Sequence, residues 1–279
     1  IKNRVKSYYF IVDHNLRKES KYEAKKVKKI LDNNKIKSEI LTWHGKKPQN
    51  NIQSLARKKR YELLFSKCKK LKVKNLVIGH HIDDLFENFF IRMIRGSGLK
   101  GLVSLGKKKT IDNVNLIRPL LYFNKKDLEF ISNHVFNFFV KDPSNKDIKY
   151  KRIKIRNIIQ KFEDNGLDKN KLSLTIRNLK KSNNAISFYV DENKKLNSFL
   201  RKNNDILILK DHFFNHPYEV VFRSFSDSIK LIGNKSNAVR GKKIDYILDK
   251  IRQNCLKKET LGGCVIKKVN QTVIISKEY

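Results

Sequence analysis

The chain has 279 residues, 39% hydrophobic and 32% charged, enough apolar material for one large domain or two modest ones and too much for wholesale disorder. Its 63 Lys and Arg against 27 Asp and Glu leave a net charge of +36, which points to a polyanionic partner, nucleic acid first, although Lys-, Asn- and Ile-rich composition also follows from AT-rich coding. Three cysteines without a CxxC pair disfavour a disulfide framework, zinc ribbon or iron–sulfur cluster, and no apolar run reaches the roughly 18 residues of a membrane span, so a cytoplasmic location is expected.

In chain order, Tyr8-Tyr9-Phe10-Ile11-Val12 reads as a buried strand ending at Asp13-His14. Ser20 and Glu23 have capping-box spacing and open a helix with Ala24, Val27, Ile30 and Leu31 on one face. Ile36 to Trp43 alternates like a second strand, and Ile52, Leu55, Ala56 and Leu63 suggest a helix to about Cys68. Leu76-Val77-Ile78-Gly79 is a third strand closing on His80-His81. A helix carrying Leu85, Phe89, Phe90, Met93 and Ile94 follows, stopped by Gly96-Ser97-Gly98. Alternating strands and helices predict a parallel sheet of βαβ units, in which ligands collect beyond the carboxyl ends of the strands. Asp13-His14 and His80-His81-x-Asp83-Asp84 fall there.

Past about Phe162 the character changes, so the expected domains are 1–162 and 163–279. The second reads as Lys- and Asn-rich helices over 167–204, short strands at Ile206–Leu209 and Tyr218–Phe222, and helices at Arg223–Ile232 and Ile244–Ile251. Gly262–Ile266 and Gln271–Ser276 then form a hairpin.

Chemistry concentrates in Gly79-His80-His81-Ile82-Asp83-Asp84-Leu85-Phe86-Glu87-Asn88. Asp84 and Glu87, three apart at a helix start, share a face; the helix dipole alone favours carboxylates there, yet two histidines and three acids exceed what capping needs. The group suits a Mg²⁺ escorting phosphates, or the orientation of an amine, and lacks a third ligand for zinc. Arg57 and Arg60 lie one turn apart on a helix, either a solvated face or a phosphate grip. The Gly96–Gly101 turns let backbone amides approach a phosphate. Asp142-Pro143-Ser144-Asn145 leads into a helix with Arg152 and Arg156 on one face, plain surface charge or a grip on RNA.

Taken in order, six segments resemble the tRNA(Ile)-lysidine synthetases of the PP-loop (N-type ATP pyrophosphatase) superfamily. They are Val12-Asp13-His14-Asn15-Leu16-Arg17, Ala56-Arg57-x-x-Arg60-Tyr61, Gly79-His80-His81-x-Asp83-Asp84-x-x-Glu87, Arg95-Gly96-Ser97-Gly98-x-x-Gly101-Leu102, Arg118-Pro119-Leu120, and Asp142-Pro143-Ser144-Asn145 with Arg152 and Arg156. The resemblance implies an α/β, adenine nucleotide alpha hydrolase-like parallel-sheet domain followed by a smaller helical and α+β tRNA-binding region. It implies that ATP adenylates carbon 2 of the wobble cytidine of a tRNA(Ile) bearing CAU, and that free L-lysine displaces AMP, switching codon reading from AUG to AUA. It makes Asp84, Glu87, His80, His81 and Arg57 catalytic, and gives nucleotide binding to Asp13, His14, Asp83, Arg95 and Gly96. Mg²⁺ falls to Asp83 and Asp84, and tRNA contact to Arg60, Arg118, Arg152 and Arg156. Dimeric members of the family make a homodimer one expectation.

The family's SGGxDS phosphate loop has no counterpart here: Ser-Gly and Gly-Gly occur only at Ser97-Gly98 and Gly262-Gly263. With Ile1 first and Met93 the only methionine, the sequence is expected to be a fragment or a reading frame taken from the wrong start. One strand, loop and helix, roughly 25–35 residues at ordinary element lengths, are expected to be missing, and the chain alone to be inactive. The rival readings are a catalytically dead, basic tRNA-binding remnant and a related tRNA thiolation enzyme, for which the scattered Cys68, Cys255 and Cys264 are poorly suited.

Overall fold

The computed structural model describes residues 6–17, 19–45, 52–139, 151–201, 205–234 and 239–278. The chain packs as two units, 1–173 and 174–279, dividing eleven residues beyond the expected boundary at 162.

In the first unit, β1 (Tyr9–Asp13) leads through α1 (Ser20–Asn33) to β2 (Ser38–Thr42), which pairs parallel with β1 from Tyr9↔Ser38 to Asp13↔Thr42. Then come α2 (Ile52–Lys70), β3 (Asn75–Val77), α3 (Ile82–Ile94), the single turn α4 (Leu99–Leu102) and a hairpin of β4 (Lys108–Ile111) and β5 (Val114–Ile117). Helices α5 (Lys125–Phe136) and α6 (Lys151–Asp164) follow, and α7 (Lys169–Asn197) begins here and ends in the second unit. β3 pairs parallel with β5, and β4 adds to β5 antiparallel, so this sheet is mixed rather than purely parallel. The two sheets share one apolar core in which Leu41 of β2, Leu64 and Cys68 of α2, Leu76 of β3 and Leu116 of β5 are buried. That core fixes α2 across the sheets, which brings its arginines to the strand ends. Burying each such leucine contributes about 2 kcal/mol.

The Ser20–Glu23 capping box does not form. Ser20 Oγ donates instead to the Arg17 carbonyl at 2.9 Å, and Glu23 takes the Arg17 guanidinium at 3.1 Å, so the cation outcompetes the backbone amide for the carboxylate.

The second unit is a five-stranded antiparallel sheet in the order β6-β7-β10-β9-β8, with β6 at Ser198–Leu200, β7 at Ile206–Leu209, β8 at Lys258–Leu261, β9 at Cys264–Val269 and β10 at Thr272–Lys277. Two helices, α8 (Tyr218–Gly233) and α9 (Gly241–Arg252), pack on it through Val221, Phe225, Ile229, Ile244 and Leu248. The expected strand at Tyr218–Phe222 is the first turn of α8: Pro217 stands at its N-cap, and Val221, Phe225, Ile229 and Ile232 continue one buried helical face. At its far end, a Cβ on Gly233 would lie 2.1 Å from the Gly262 carbonyl oxygen, so only glycine allows the helix to meet the β8–β9 turn.

Candidate active site

Two strand ends and one helix build the centre of the first unit. Asp13, the last residue of β1, is 4% exposed, and its Oδ1 accepts the Asn15 amide at 2.8 Å. Asn15 takes the left-handed conformation, φ 49°, which turns the chain sharply and leaves His14 at the carboxyl end of the strand. His80 takes the corresponding place after β3. Arg57 and Arg60, one turn apart on α2, each reach one of these histidines. Arg57 Nη1 lies 3.3 Å from His80 Nε2, while Arg60 Nε and Nη2 lie 3.3 and 3.2 Å from His14 Nε2. A guanidinium has only donors, so both histidines accept through Nε2 and carry their proton on Nδ1. Both Nδ1 atoms are buried without a hydrogen-bond partner among the described residues.

Electrostatics holds both rings neutral. Burial, then Arg57, Arg118 and Arg152, push His80 down to about 4 against the opposing pull of Asp84. Burial and Arg60 lower His14 against Asp13. Arg57 itself is pulled below the usual guanidinium range by burial and by Arg152, Arg60 and Arg118, and it is steadied by Tyr61, whose hydroxyl takes Nη2 at 3.1 Å and whose ring lies 5.1 Å beneath the guanidinium. Arginines this close stabilise one another only when an anion sits among them.

The start of α3 lies beside this basic cluster. Asp84 Oδ2 accepts the His81 amide at 3.0 Å and so closes the helix N-terminus. Glu87 is 2% exposed; Arg156 Nε donates to its Oε1 at 2.5 Å, while Oε2 accepts no hydrogen bond from the described residues and faces Arg152 Nε at 4.0 Å. Burial pushes the Glu87 carboxyl above its ordinary range, with Arg156 opposing. A pocket of about 210 Å³ opens here, with Asp83, Glu87 and Glu163 facing Arg156, Lys125 and Lys169 over Phe86 and Ile159.

His80, His81, Asp83, Asp84, Glu87, Arg57, Arg60, Asp13, His14, Arg152 and Arg156 therefore lie in one connected neighbourhood. Three expected site residues do not fit their assigned roles. Arg95 and Gly96 follow the far end of α3, whose 13 residues place them roughly 20 Å from its first turn. Gly96, at φ 64°, and Ser97 donate their amides to the Met93 and Arg92 carbonyls, so the Gly-Ser-Gly segment is a helix stop rather than a phosphate cradle. Arg118 is 4% exposed with Nη1 on the Gly106 carbonyl at 2.8 Å, so it can add charge to the cluster but offers no surface to a tRNA. Asp142-Pro143-Ser144-Asn145 lies outside the described residues. Among the described residues no three His, Cys, Asp or Glu converge as a metal-holding group. Tyr61, Lys125, Glu163 and Lys169 were not singled out as site residues by sequence reading; the last three come from α5, α6 and α7, far along the chain, and carry no local motif. None of the three cysteines is disulfide-bonded, and Cys68 and Cys264 are buried. Among the described residues no helix is long and apolar enough to cross a membrane.

An arginine-lined centre at the carboxyl ends of parallel strands is the geometry of a nucleotide-handling α/β domain, and the PP-loop domain family matches residues 1–162: the chain belongs to that family. Over nearly its whole length it is similar to proteins named tRNA(Ile)-lysidine synthase. It is 33% identical to one from Wolbachia sp. subsp. Brugia malayi over 96% of this chain and 62% of that protein, and 32% identical to one from Rickettsia prowazekii over all of this chain and 64% of that protein. The chain thus spans under two thirds of the length of these relatives. Among solved structures, a U34-tRNA thiolase from Methanococcus maripaludis with its [4Fe-4S] cluster superposes with a TM-score of 0.51 at 18% identity, covering 62% of this chain and 59% of that one, a likeness of fold.

Proposed function

We propose that this chain is part of a tRNA(Ile)-lysidine synthase, which uses ATP to adenylate the wobble cytidine of a tRNA(Ile) bearing CAU and then joins free L-lysine to carbon 2 of that base. What supports the reading is one juxtaposition: a cluster of arginines calling for an anion stands beside a buried carboxylate, Glu87, one of whose oxygens takes no hydrogen bond from the described residues. Phosphate and amine sites side by side are what adenylation followed by amine attack requires.

In the first step the cytidine O2–Pα bond forms as the bond from Pα to pyrophosphate breaks. Arg57 and Arg60, poised by neutral His80 and His14, hold the phosphate oxygens bidentately, and Arg152 contributes further positive charge. In the second step the lysine ammonium first gives one proton to water; the neutral nitrogen then bonds to carbon 2, AMP leaves with the bridging oxygen, and a second proton leaves the nitrogen. Glu87 Oε2 accepts the amine N–H and takes that second proton, a role suited by its raised pKa. Asp83 and Asp84 suit Mg²⁺ in donor chemistry, hard carboxylates of which Asp84 keeps one oxygen beyond its bond to His81, since this ion binds through one or two carboxylates plus waters and phosphates. Bound there, it would neutralise phosphate charge. Arg152 and the basic second unit serve tRNA phosphates, so binding weakens steeply with salt. Turnover is assigned to a form that also carries an SGGxDS segment, which does not occur between Ile1 and Tyr279.

The test is Glu87→Gln in an upstream-extended form that carries the loop. Pyrophosphate release from ATP with the tRNA should persist while lysine incorporation falls at least 100-fold. Equal loss of both activities, or of neither, contradicts the assignment.

A further inference from the structure

Resting on the amine-pocket reading above, a second feature of the same pocket remains unexplained. Lys169, in the first turn of α7, extends its Nζ to 3.0 Å from Glu163 Oε1 of α6 and 3.8 Å from Asp83 Oδ1 of α3. All three residues line the 210 Å³ pocket, and Glu87 lines it with them. Two carboxylates on different helices therefore converge on one primary ammonium inside this pocket. An ammonium supplied by the chain stands where an ammonium supplied by a ligand would be most stable.

We propose that Lys169 is an internal occupant of this pocket, a side-chain ammonium that a free primary alkylamine must displace, and thus a specificity-determining residue. Its hold is weak by construction. The Lys169 side chain is 40% exposed and those of Glu163 and Asp83 are 21% and 30% exposed, so water and salt screen both pairs and the ammonium can leave toward solvent on its flexible stem. A ligand carrying an ammonium on an aliphatic chain offers the same charge to the same carboxylates and can lay its methylenes on Phe86 and Ile159. A ligand without that ammonium offers the two acids no charge in exchange for Lys169 and so gains nothing by displacing it. Selectivity for a cationic over an isosteric neutral side chain follows from competition inside the pocket as well as from direct attraction.

The experiment is calorimetric titration of the 279-residue chain with L-lysine and with L-norleucine, in the wild type, Lys169→Met and Lys169→Arg. Methionine keeps the stem and removes the competing charge, so L-lysine binding should tighten about 5- to 20-fold, the range two screened ion pairs support, while norleucine is unaffected. Lys169→Arg should bind L-lysine as the wild type does. Lysine binding that Lys169→Met leaves unchanged or weakens overturns the role of Lys169 alone. No lysine binding by any of the three proteins overturns the amine-pocket reading and this inference with it.

Discussion

Removing Arg156 tests the buried carboxylate at the heart of the site. Arg156→Met keeps most of the side-chain volume but leaves Glu87, 2% exposed, without the 2.5 Å donor to Oε1. Stripping one partner from a buried pair costs about 3–5 kcal/mol. Here Arg156 is 37% exposed and Arg152 remains 4.0 Å from Oε2, so the loss should fall to about 2–3 kcal/mol. Glu87→Gln alone removes the charge that needs compensation and should cost about 1 kcal/mol. The double variant should then be less destabilised than the two singles combined by at least about 1 kcal/mol. Trp43, the chain's only tryptophan, directly follows β2, so its fluorescence during urea unfolding reports the first unit without the second. The single Arg156→Met change should lower the midpoint by about 1 M at ordinary urea sensitivities. A shift below about 0.5 kcal/mol, or costs that simply add, would refute the view that Glu87 is a buried charge held by Arg156.

Three further outcomes follow. His80, titrated by the NMR shift of its ring proton, should have a midpoint of about 4, and Arg57→Met should move it upward but not to 6.5, since burial, the leading cause, remains; a wild-type midpoint near 6.5 contradicts the neutral-histidine geometry. Because the folded pKa of His80 lies below its unfolded value, the unfolded chain binds the extra proton between about pH 4 and 6.5, so stability should rise with pH across that window and the slope should flatten in His80→Gln. Gly233→Ala should destabilise the second unit by about 2 kcal/mol, read as a lowered Tm, because its methyl carbon meets the Gly262 carbonyl; an unchanged Tm would mean that the α8 end can shift freely.

Much of this architecture was legible before the structure. Strands ending at Asp13-His14 and Gly79-His80 were readable from short β-branched runs broken by polar clusters; each pairs parallel with a neighbour, β1 with β2 and β3 with β5, and each carries its cluster at its carboxyl end. The β4–β5 hairpin was not, since four-residue strands show too little alternation, and its turn at Asp112 and Asn113, both with φ above zero, lacks the glycine that usually marks one. Tyr218–Phe222 misled because aromatic and β-branched residues favour strands locally, whereas the face shared with Phe225 and Ile229 is tertiary information. Within the site, Arg57, Arg60, His80, Asp84 and Glu87 stood out through local spacing. Their partners were hidden: Arg156 reaches Glu87 across 69 positions, and Lys169 closes the pocket from another helix. Glycine spacing at Gly96–Gly98 looked like a phosphate loop because a helix stop and an anion cradle both need glycine, and only the amide partners separate them.

The most direct measurement is transfer of labelled L-lysine to a tRNA(Ile) bearing CAU, with ATP and Mg²⁺, by this chain and by a form extended upstream to include an SGGxDS segment. Label entering the tRNA with the extended form alone is the predicted result. No label with either form, while both hold the tRNA tightly, would contradict the synthase reading and leave a basic RNA-binding remnant in its place.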